Sequence, residues 1–356
     1  MGELQPLCKI DIYRGTAMEF TVKLTDAQSR VIIEKGCHTR LKDYMDFDGK
    51  VMVISDDNIP DSLKERVLSQ FDGAILAEVP NGERAKSLEV YTDLLATLLE
   101  NGFSRRDCIL ALGGGVVGDL AGFVASTYKR GCRFVSIPTS TLAQIDSSIG
   151  GKVAINMNGI KNCVGSFYHP QAVFVDTDTL KTLEPRHFYN GLAEALKAGC
   201  IYDAQLFEIF KNHAHELSTD SPYLEEIITR SLLIKRDVVQ KDEKEQHLRK
   251  ILNFGHTIGH AIESLYNLTD YYHGECVANG MLMIEENEEI KKDLADILQR
   301  MHIPFVKDLD ADRCIEFIKN DKKASGDTID VVKVDRIGEA YIENIAIEDL
   351  RKYFGS

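Results

Sequence analysis

The sequence predicts an α/β N-terminal domain with a parallel sheet, followed by an all-α C-terminal domain. Two observations lead to this fold class. In the first half, short apolar runs alternate with stretches whose apolar residues recur at helical spacing, which is typical of a parallel sheet covered by helices on both faces. After about residue 185 the helical spacing continues, while runs of β-branched residues become rare.

The strands of the first half are short and mostly apolar, as expected for strands buried between two layers of helices. The predicted strands are Lys50–Ser55, Gly73–Val79, Cys108–Leu112, Phe134–Ile137 and Ala172–Val175. Between them, Arg84–Asn101 has apolar residues on one helical face, and Asp119–Tyr128 is expected to form a second helix.

The segment Leu183–Arg186 marks the predicted domain boundary, which divides the chain into residues 1–185 and 186–356. The helical pattern that follows is interrupted by Pro304, Gly326 and Gly338. Because proline and glycine interrupt helices, we expect the C-terminal part to consist of helices and short turns.

Composition excludes several classes of protein. The net charge is −14 over 356 residues and there is no long basic run, so a nucleic-acid partner is not expected. The eight cysteines are scattered without a C-x-x-C pair, which indicates free thiols in a reducing compartment. No apolar stretch could span a bilayer, and the N-terminus lacks a signal peptide. We therefore expect a cytoplasmic protein without a membrane partner.

A glycine-rich turn follows the strand at Cys108–Leu112. Gly113, Gly115 and Gly118 match the pattern G-x-G-x-x-G between a strand and a helix, which lets a pyrophosphate approach the backbone N–H groups. A tight turn without a ligand would give the same pattern. The acidic ribose ligand expected about twenty residues later is missing. Its candidate replacements lie elsewhere in the chain: Asp56, Glu83 and Lys86.

Three histidines and one glutamate form a candidate metal site. His256 and His260 are four residues apart and therefore share one helical face, while His273 and Glu194 come from other segments. Such ligands suit Zn²⁺ or a similar ion. A catalytic site needs only three protein ligands, so one histidine is left for another role, and spacing does not identify it.

Basic residues beside glycine or asparagine form a candidate anion site in an otherwise acidic chain. Lysines bind phosphate as point charges, and arginines bind carboxylates through two hydrogen bonds. Each of these residues could also be an ordinary surface charge, so the prediction depends on the fold bringing them together. The candidates are Arg130, Lys152, Lys161, Lys197, Lys235 and Arg249.

Taken together, these segments resemble the 3-dehydroquinate synthase family of sugar phosphate cyclases. The matching stretches are LGGGVVGDLAGFVASTYKRG, IPTSTLAQIDSSIGGKVAIN, KNCVGSFYHP, GLAEALKAG, LRKILNFGHTIGHAIE and HGECVANG, with weaker matches at PNGERAKS and DKKASG. The resemblance implies a Rossmann-like NAD-binding domain, a helical metal- and substrate-binding domain, and a divalent ion, Zn²⁺ or Co²⁺.

The resemblance also implies a reaction. The substrate would be 3-deoxy-D-arabino-heptulosonate 7-phosphate, and the products 3-dehydroquinate and phosphate, in the shikimate route to aromatic amino acids. The steps would be transient oxidation by NAD, loss of phosphate, re-reduction and closure by an intramolecular aldol reaction. NAD would be regenerated in each cycle.

The resemblance assigns roles to individual residues. The implied metal ligands are Glu194, His256 and His273. The implied phosphate contacts are Lys152, Asn162, Asn253 and His260, with Lys322 or Lys323 from the C-terminal part and Arg130 reaching the partner subunit's site in a homodimer. The implied groups near the substrate carboxylate and hydroxyls are Lys197, Lys235, Arg249, Asp146 and Glu245.

The implied NAD contacts come from several segments: Asp56, Glu83, Lys86, Gly114, Gly115, Val116, Val117, Gly118, Asp119, Thr139, Ser140, Lys152, Lys161, Thr179, Leu180, Lys181 and Thr182. Two positions depart from the family pattern. Ser140 replaces the usual threonine but keeps the hydroxyl, and Asn279 replaces a common isoleucine without a reason that the sequence reveals.

Three alternative functions remain open from the sequence. A sister cyclase, such as a 2-deoxy-scyllo-inosose synthase or a sedoheptulose 7-phosphate cyclase, acts on a substrate without a carboxylate, so the pair Lys235 and Arg249 argues against it. A metal-dependent polyol dehydrogenase of the glycerol dehydrogenase type would consume NAD stoichiometrically. A catalytically inactive binding protein would not need every ligand to be present.

Overall fold

The structure is a computed structural model that describes residues 17–245, 247–266, 270–321 and 326–354. These residues form two compact units, an N-terminal unit of residues 17–184 and a C-terminal unit of residues 185–354. Each unit has buried apolar side chains of its own.

The N-terminal unit is built on a seven-stranded sheet. In chain order the strands of the whole N-terminal unit are β1 (Met18–Lys23), β2 (Gln28–Ile33), β3 (Val51–Asp56), β4 (Ile75–Val79), β5 (Cys108–Gly113), β6 (Arg133–Pro138), β7 (Lys152–Met157), β8 (Ile160–Phe167) and β9 (Ala172–Val175). The sheet has the order β1-β2-β9-β6-β5-β3-β4, and β7 pairs with β8 in a separate hairpin. Only β1 runs antiparallel to its neighbour in the large sheet.

Helices cover both faces of this sheet, as the alternating pattern predicted. The helices are α1 (Asp61–Leu68), α2 (Leu88–Glu100) and α3 (Gly115–Thr127). Successive residues of a strand point to opposite faces. Met52 accordingly packs in the apolar cluster that includes residues of α2 and α3, while Val53 packs in the cluster that includes residues of α1. The five predicted strands correspond to β3, β4, β5, β6 and β9.

The strand order reverses between β3 and β5. From β3 the chain moves outward to β4 and then returns to place β5 on the other side of β3, after which β6 and β9 continue in that direction. In open parallel sheets, ligands bind outside the carboxyl ends of the strands at such a reversal. Asp56 ends β3 and Gly113 ends β5, so the predicted acidic residue and the glycine turn lie at this same edge.

Two parts of the N-terminal unit were not predicted. The strands β1 and β2 extend the sheet at one side, and the hairpin β7–β8 packs against α3. The hairpin contains Lys152, Lys161 and Asn162, to which the sequence analysis had assigned no strand. Asn162 has a φ of 52°, so the strand is irregular at this residue.

The C-terminal unit is helical. Its helices are α4 (Pro185–Ile201), α5 (Ala204–His213), α6 (Leu224–Lys241), α7 (His256–Leu265), α8 (His273–Ile284), α9 (Glu288–Arg300) and α10 (Ala311–Asp321). It differs from the predicted all-α domain in one respect, because β10 (Thr328–Arg336) and β11 (Glu339–Ala346) form an antiparallel hairpin. Among the described helices, none combines the length and apolar composition needed to cross a lipid bilayer.

Helices α7 and α8 approach each other backbone to backbone. A Cβ atom on Gly280 of α8 would lie 2.0 Å from the carbonyl oxygen of Gly255 and 2.9 Å from the nitrogen of Gly259. Gly255 precedes α7 with a φ of 76°, in the left-handed region that glycine adopts without strain. Glycine on both helices thus brings the histidines of α7 near the first residue of α8.

Candidate active site

Three helices of the C-terminal unit bring the predicted metal ligands together. Glu194 lies within α4, His256 is the first residue of α7, and His273 is the first residue of α8. The Oε1 atom of Glu194 is 3.8 Å from His256 Nε2 and 3.5 Å from His273 Nε2. We call these three residues the ligand triad.

The ligand triad fits a divalent metal ion. Tetrahedral ligands about 2.0–2.1 Å from Zn²⁺ are separated from one another by roughly 3.4 Å, close to the two distances observed here. Glu194 Oε1 is buried and has no hydrogen-bond partner among the described residues. A buried carboxylate oxygen without a partner is costly, and coordination of a cation would satisfy it.

The charges of the triad are coupled. Burial alone would raise the pKa of Glu194, but the nearby Lys197 ammonium and the imidazoles of His256 and His273 hold it well below its ordinary value. Burial, with Lys197 nearby, lowers the pKa of His256, so this ring is neutral and able to bind a metal. Burial also opposes protonation of His273, yet the carboxylates of Glu194 and Glu263 raise its pKa to about 10.

Glu263 is a site residue that the sequence analysis missed. Its Oε1 atom lies 2.9 Å from His273 Nδ1, so it accepts a hydrogen bond from the ring and directs Nε2 toward Glu194. Carboxylates in this outer position commonly fix the orientation of histidine ligands. Glu263 follows His256 by seven residues and therefore lies on the same face of α7, a signal that the spacing contained.

The third histidine lies beside the triad. The ring of His260 is 5.3 Å from that of His256 and 6.0 Å from that of His273, measured between ring centres. With Glu263 and His273 it could form a second ligand group. The buried Glu194 oxygen, which has no hydrogen-bond partner among the described residues, favours the triad over this more exposed group.

Three other predicted groups of the C-terminal unit have acceptors nearby. Lys197 Nζ donates to Glu194 Oε2, three residues before it on α4. Arg249 is buried, and its Nη1 donates to the carbonyl of Glu243 at 2.8 Å. Asn253 Nδ2 lies 3.4 Å from Glu245 Oε1. Lys235 is buried on α6.

The predicted NAD residues of the N-terminal unit cluster at strand ends. Gly114 precedes α3 directly after β5, Thr139 and Ser140 follow β6, and Thr179–Thr182 follow β9. A Cβ atom on Gly114 would lie 3.3 Å from Ser140 Oγ. Val117 and Leu180 are fully buried as whole residues, so neither side chain is open to a ligand.

Gln144 holds two of these strand ends together, a role that the sequence did not reveal. Its buried Nε2 donates to the carbonyl of Pro138 and to Thr179 Oγ1, both at 3.0 Å. The turn after β9 is therefore fixed relative to the end of β6.

A buried lysine organises another part of the predicted NAD site. Lys86 Nζ donates to Asp119 Oδ2 at 2.6 Å and also to Asn162 Oδ1, so α3 and the hairpin β7–β8 share one cation. Glu83 Oε2 accepts a hydrogen bond from Asn156 of the same hairpin at 2.8 Å. Asn162, predicted as a phosphate contact, thus lies among the predicted NAD contacts.

The remaining predicted residues lie toward solvent. Lys152, Lys161 and Lys181 are exposed, and Asp146 is half-buried in the turn Ala143–Ser147. Arg130 is exposed in a turn where Lys129, Arg130 and Gly131 all have positive φ. Lys322 and Lys323 lie outside the described residues.

Two family models match this chain in succession. The model described as 3-dehydroquinate synthase N-terminal matches residues 76–190, and the model described as 3-dehydroquinate synthase C-terminal matches residues 191–324. A 3-dehydroquinate synthase of Clostridium acetobutylicum is 41% identical over 320 residues, covering 85% of this chain and 89% of that protein. The enzyme of the same description from Clostridium beijerinckii is 38% identical and covers 93% and 99%.

Solved structures share the fold over nearly the whole chain. A 2-deoxy-scyllo-inosose synthase complexed with carbaglucose-6-phosphate, NAD⁺ and Co²⁺ has a TM-score of 0.85 and 26% identity, covering 94% of this chain and 98% of that one. A probable glycerol dehydrogenase of Sinorhizobium meliloti has a TM-score of 0.64 and 18% identity, covering 91% and 94%, which supports the fold alone.

Proposed function

Because this chain belongs to the 3-dehydroquinate synthase family, we propose how its residues convert 3-deoxy-D-arabino-heptulosonate 7-phosphate to 3-dehydroquinate and phosphate. It is an enzyme with NAD and a divalent metal ion as cofactors, as in the inosose synthase complex with NAD⁺ and Co²⁺. When bound, NAD accepts and returns one hydride, and the metal ion acts as a Lewis acid on substrate oxygens.

The observation that best supports a metal-dependent reaction is the ligand triad. Glu194, His256 and His273 would hold the ion, because their donor atoms converge around a buried carboxylate oxygen that has no hydrogen-bond partner among the described residues. Glu263 would keep Nε2 of His273 directed toward it. Three protein ligands leave coordination positions for substrate hydroxyls.

Cationic and amide groups near the triad would bind the substrate. Arg249 is buried and fixed by its contact with the Glu243 carbonyl, and with Lys235 it would bind the substrate carboxylate. His260 is exposed beside the triad, and with Asn253 it would contact the phosphate. Further candidates for phosphate binding, from the family resemblance, are Lys152, Asn162 and Lys322 or Lys323. Lys197 would hold Glu194 ionised and contact a substrate hydroxyl.

The N-terminal unit would bind NAD at the carboxyl edge of its sheet. The backbone N–H groups of residues 114–119, at the start of α3, would face the pyrophosphate. Asp56 ends the adjacent strand β3 and would bind a ribose hydroxyl. The chain's own contribution to the reaction is then mainly orientation of the substrate and stabilisation of developing negative charge.

A homodimer is a further part of the proposal. Arg130 is exposed on a turn in which Lys129, Arg130 and Gly131 all have positive φ, and an exposed arginine is open to contact with the partner's substrate phosphate. Mixing the inactive variants Arg130→Ala and Glu194→Gln should then restore part of the activity, because one site of the mixed dimer has both groups. No recovery would show that Arg130 acts within its own chain.

We also propose a cytoplasmic location. It is supported by the seven cysteines of the described residues, all of which have free thiols.

The reaction is tested by incubating the enzyme with the heptulosonate phosphate, NAD and Zn²⁺ while measuring phosphate and dehydroquinate together. Equal amounts of both products without net NADH are expected. Glu194→Gln should abolish turnover, whereas Glu285→Gln, at another buried carboxylate with an unpartnered oxygen, should leave it unchanged. Phosphate release from glucose 6-phosphate or sedoheptulose 7-phosphate instead would identify a sister cyclase, and net NADH would identify a dehydrogenase.

A further inference from the structure

One face of α4 contacts the beginning of α8 at three successive helical turns. Residues at positions i, i+4 and i+8 of a helix lie on the same face. On α4 these positions meet three consecutive residues of α8 in reverse order: Arg186 with Glu275, Asn190 with Gly274, and Glu194 with His273. The last pair consists of two members of the ligand triad.

The first pair is a bidentate ion pair. Arg186 Nε and Nη2 donate to the two carboxylate oxygens of Glu275 at 2.7 and 2.8 Å. Glu275 is 1% exposed, so removing this arginine would leave a buried acidic side chain without its ion-pair partner. We call Arg186 and Glu275 the clamp.

The clamp holds the residue that precedes His273. Glu275 Oε2 accepts the backbone N–H of Tyr272 at 2.8 Å, and the Arg186 guanidinium lies 4.2 Å from the centre of the Tyr272 ring. His187 stacks on the same ring with 4.6 Å between ring centres. Arg186 also donates to the carbonyl of Asp270 at 2.6 Å. The chain entering α8 is therefore fixed from the first turn of α4.

The second pair, Asn190 and Gly274, leaves little space for α4 and α8 to move relative to each other. Gly274 donates its N–H to Asn190 Oδ1 at 2.7 Å, and a Cβ atom on Gly274 would lie 1.9 Å from the Asn190 carbonyl oxygen. Because Gly274 is packed against the backbone of Asn190, a shift of Tyr272 would change the orientation of His273, which lies between them, relative to Glu194 on the same helix as Asn190.

We propose that the clamp is a positioning pair for the metal site: Arg186 and Glu275 set the distance between His273 Nε2 and Glu194 Oε1, and through it the affinity for the divalent ion. The inference rests on the proposed function, because it assigns the clamp to the ion that the triad holds. Neither clamp residue is a ligand, and both act through the backbone around His273.

A purely structural ion pair predicts a different result from a positioning pair. Loss of a structural pair lowers stability and leaves the metal affinity of the folded protein unchanged. Loss of a positioning pair weakens metal binding by about 10–100-fold, the usual effect of changes just outside the ligands. It also changes the visible absorption of bound Co²⁺, which depends on ligand geometry.

The test compares two matched double variants of the full chain. Arg186→Met with Glu275→Gln removes both charges of the clamp and keeps an oxygen that accepts the Tyr272 N–H. The control, Arg230→Met with Asp203→Asn, removes both charges of another buried ion pair of the C-terminal unit, in which Arg230 Nη1 lies 2.9 Å from Asp203 Oδ2. Co²⁺ affinity, by competition with a chelator, and the Co²⁺ spectrum are measured on each.

The clamp variant should bind Co²⁺ about 10–100-fold more weakly with an altered spectrum, while the Arg230 variant should match the wild type. Arg186→Lys keeps the charge but loses the second hydrogen bond, so it should give an intermediate affinity. This variant also serves as the test if the double clamp variant does not fold. Wild-type affinity and spectrum in a folded clamp variant, or in Arg186→Lys if only that one folds, would overturn the proposal.

The outcome is separable from that of the proposed function. A wild-type protein that binds Co²⁺ through Glu194 but forms no dehydroquinate would refute the proposed substrate and leave the clamp result valid. If the Glu194→Gln variant binds Co²⁺ as tightly as the wild type does, both the triad and the clamp are overturned.

Discussion

Single residues show how polar side chains in this chain depend on partners that are distant in sequence. Asn279 replaces a common isoleucine on the buried side of α8, and the structure explains it. Its Nδ2 donates to the carbonyls of Glu275 and Pro304 at 2.8 and 2.9 Å, and its Oδ1 accepts the N–H of Val306 at 2.9 Å. The amide therefore fastens residues 304–306 to the helix, as an aliphatic side chain could not.

The sequence predicted a metal site made of histidines and a carboxylate, but it left open which histidines belong to it, except through family resemblance. His256 and His260 share one face of α7, and only the three-dimensional position of α4 shows that His256 points to Glu194. The partners of Lys86 likewise come from segments 33 and 76 residues away, a separation that no local pattern encodes.

We expect Glu263→Gln to weaken metal binding by about 10–100-fold, because the amide oxygen accepts the His273 hydrogen bond without the carboxylate charge. Zn²⁺ affinity, measured by chelator competition, is the readout, and activity should recover at high Zn²⁺. Glu285→Gln is the matched control. Wild-type affinity in Glu263→Gln would show that Glu263 does not support the ligand.

Asp176 connects the end of β9 to His38 and should make the stability of the N-terminal unit depend on pH. Burial alone would raise the pKa of Asp176, but the hydrogen bond from His38 Nδ1 at 2.5 Å and the backbone N–H groups of Asp178 and His38 hold it below its ordinary value. The unfolded chain thus binds more protons, so this contribution is fully present above about pH 4 and is lost as the pH falls through the lowered pKa.

We therefore expect Asp176→Asn to lower the free energy of unfolding at pH 7 and to reduce its decrease between about pH 4 and pH 2. Urea unfolding at a series of pH values measures both effects. The exposed carboxylate of Asp61 gives the control Asp61→Asn, which should retain the wild-type profile. An Asp176→Asn profile parallel to that of the wild type would contradict the assignment.

Among the elements, the buried apolar strands were predicted and the hairpins were not. The strands β3, β5, β6 and β9 read as apolar runs because both faces are covered. The hairpin β7–β8 has one polar side, and its exposed residues resemble a loop. Its turn did contain a signal, because Asn158-Gly159 favours a two-residue hairpin turn and both residues have positive φ.

The close packing of α7 on α8 makes Gly280→Ala strongly destabilising. The added Cβ would lie 2.0 Å from the Gly255 carbonyl oxygen, so the two helices must separate. We expect a loss of about 2–3 kcal/mol, or roughly 5–10 °C in melting temperature, measured without ligands. Gly118→Ala, a helical position with nothing within 4 Å, should not lower the melting temperature. Equal melting temperatures for both variants would refute the packing argument.

The protein as a whole carries a net charge of −14, so it must bind an anionic substrate against an overall charge of the same sign. The buried cations Lys197, Lys235 and Arg249 belong to the C-terminal unit, and a local positive field at a site can exceed the effect of an acidic surface. The sequence predicted this contrast from composition. The family resemblance implied NAD binding in the first domain and metal binding in the second, but composition alone could not show which distant segments come together in each unit.

The two cofactors should therefore protect different parts of the chain from hydrogen exchange. Zn²⁺ should slow exchange in α4, α7 and α8, and NAD should slow it in residues 113–119 and 177–182, because each ligand stabilises the segments it contacts. In Glu194→Gln the Zn²⁺ effect should disappear and the NAD effect should remain. Protection of the same segments by both ligands would contradict separate sites.

The three contacts along α4 limit the insertions and deletions that this helix can accept. Each residue added to an α-helix turns everything beyond it by about 100°. A single insertion between Arg186 and Asn190 would leave Glu194 facing a neighbour other than His273 while Arg186 still held Glu275. A substitution on this helix changes one contact, whereas a codon gained or lost between positions 186 and 194 would change the facing of Glu194 relative to Arg186 and disturb the contacts together.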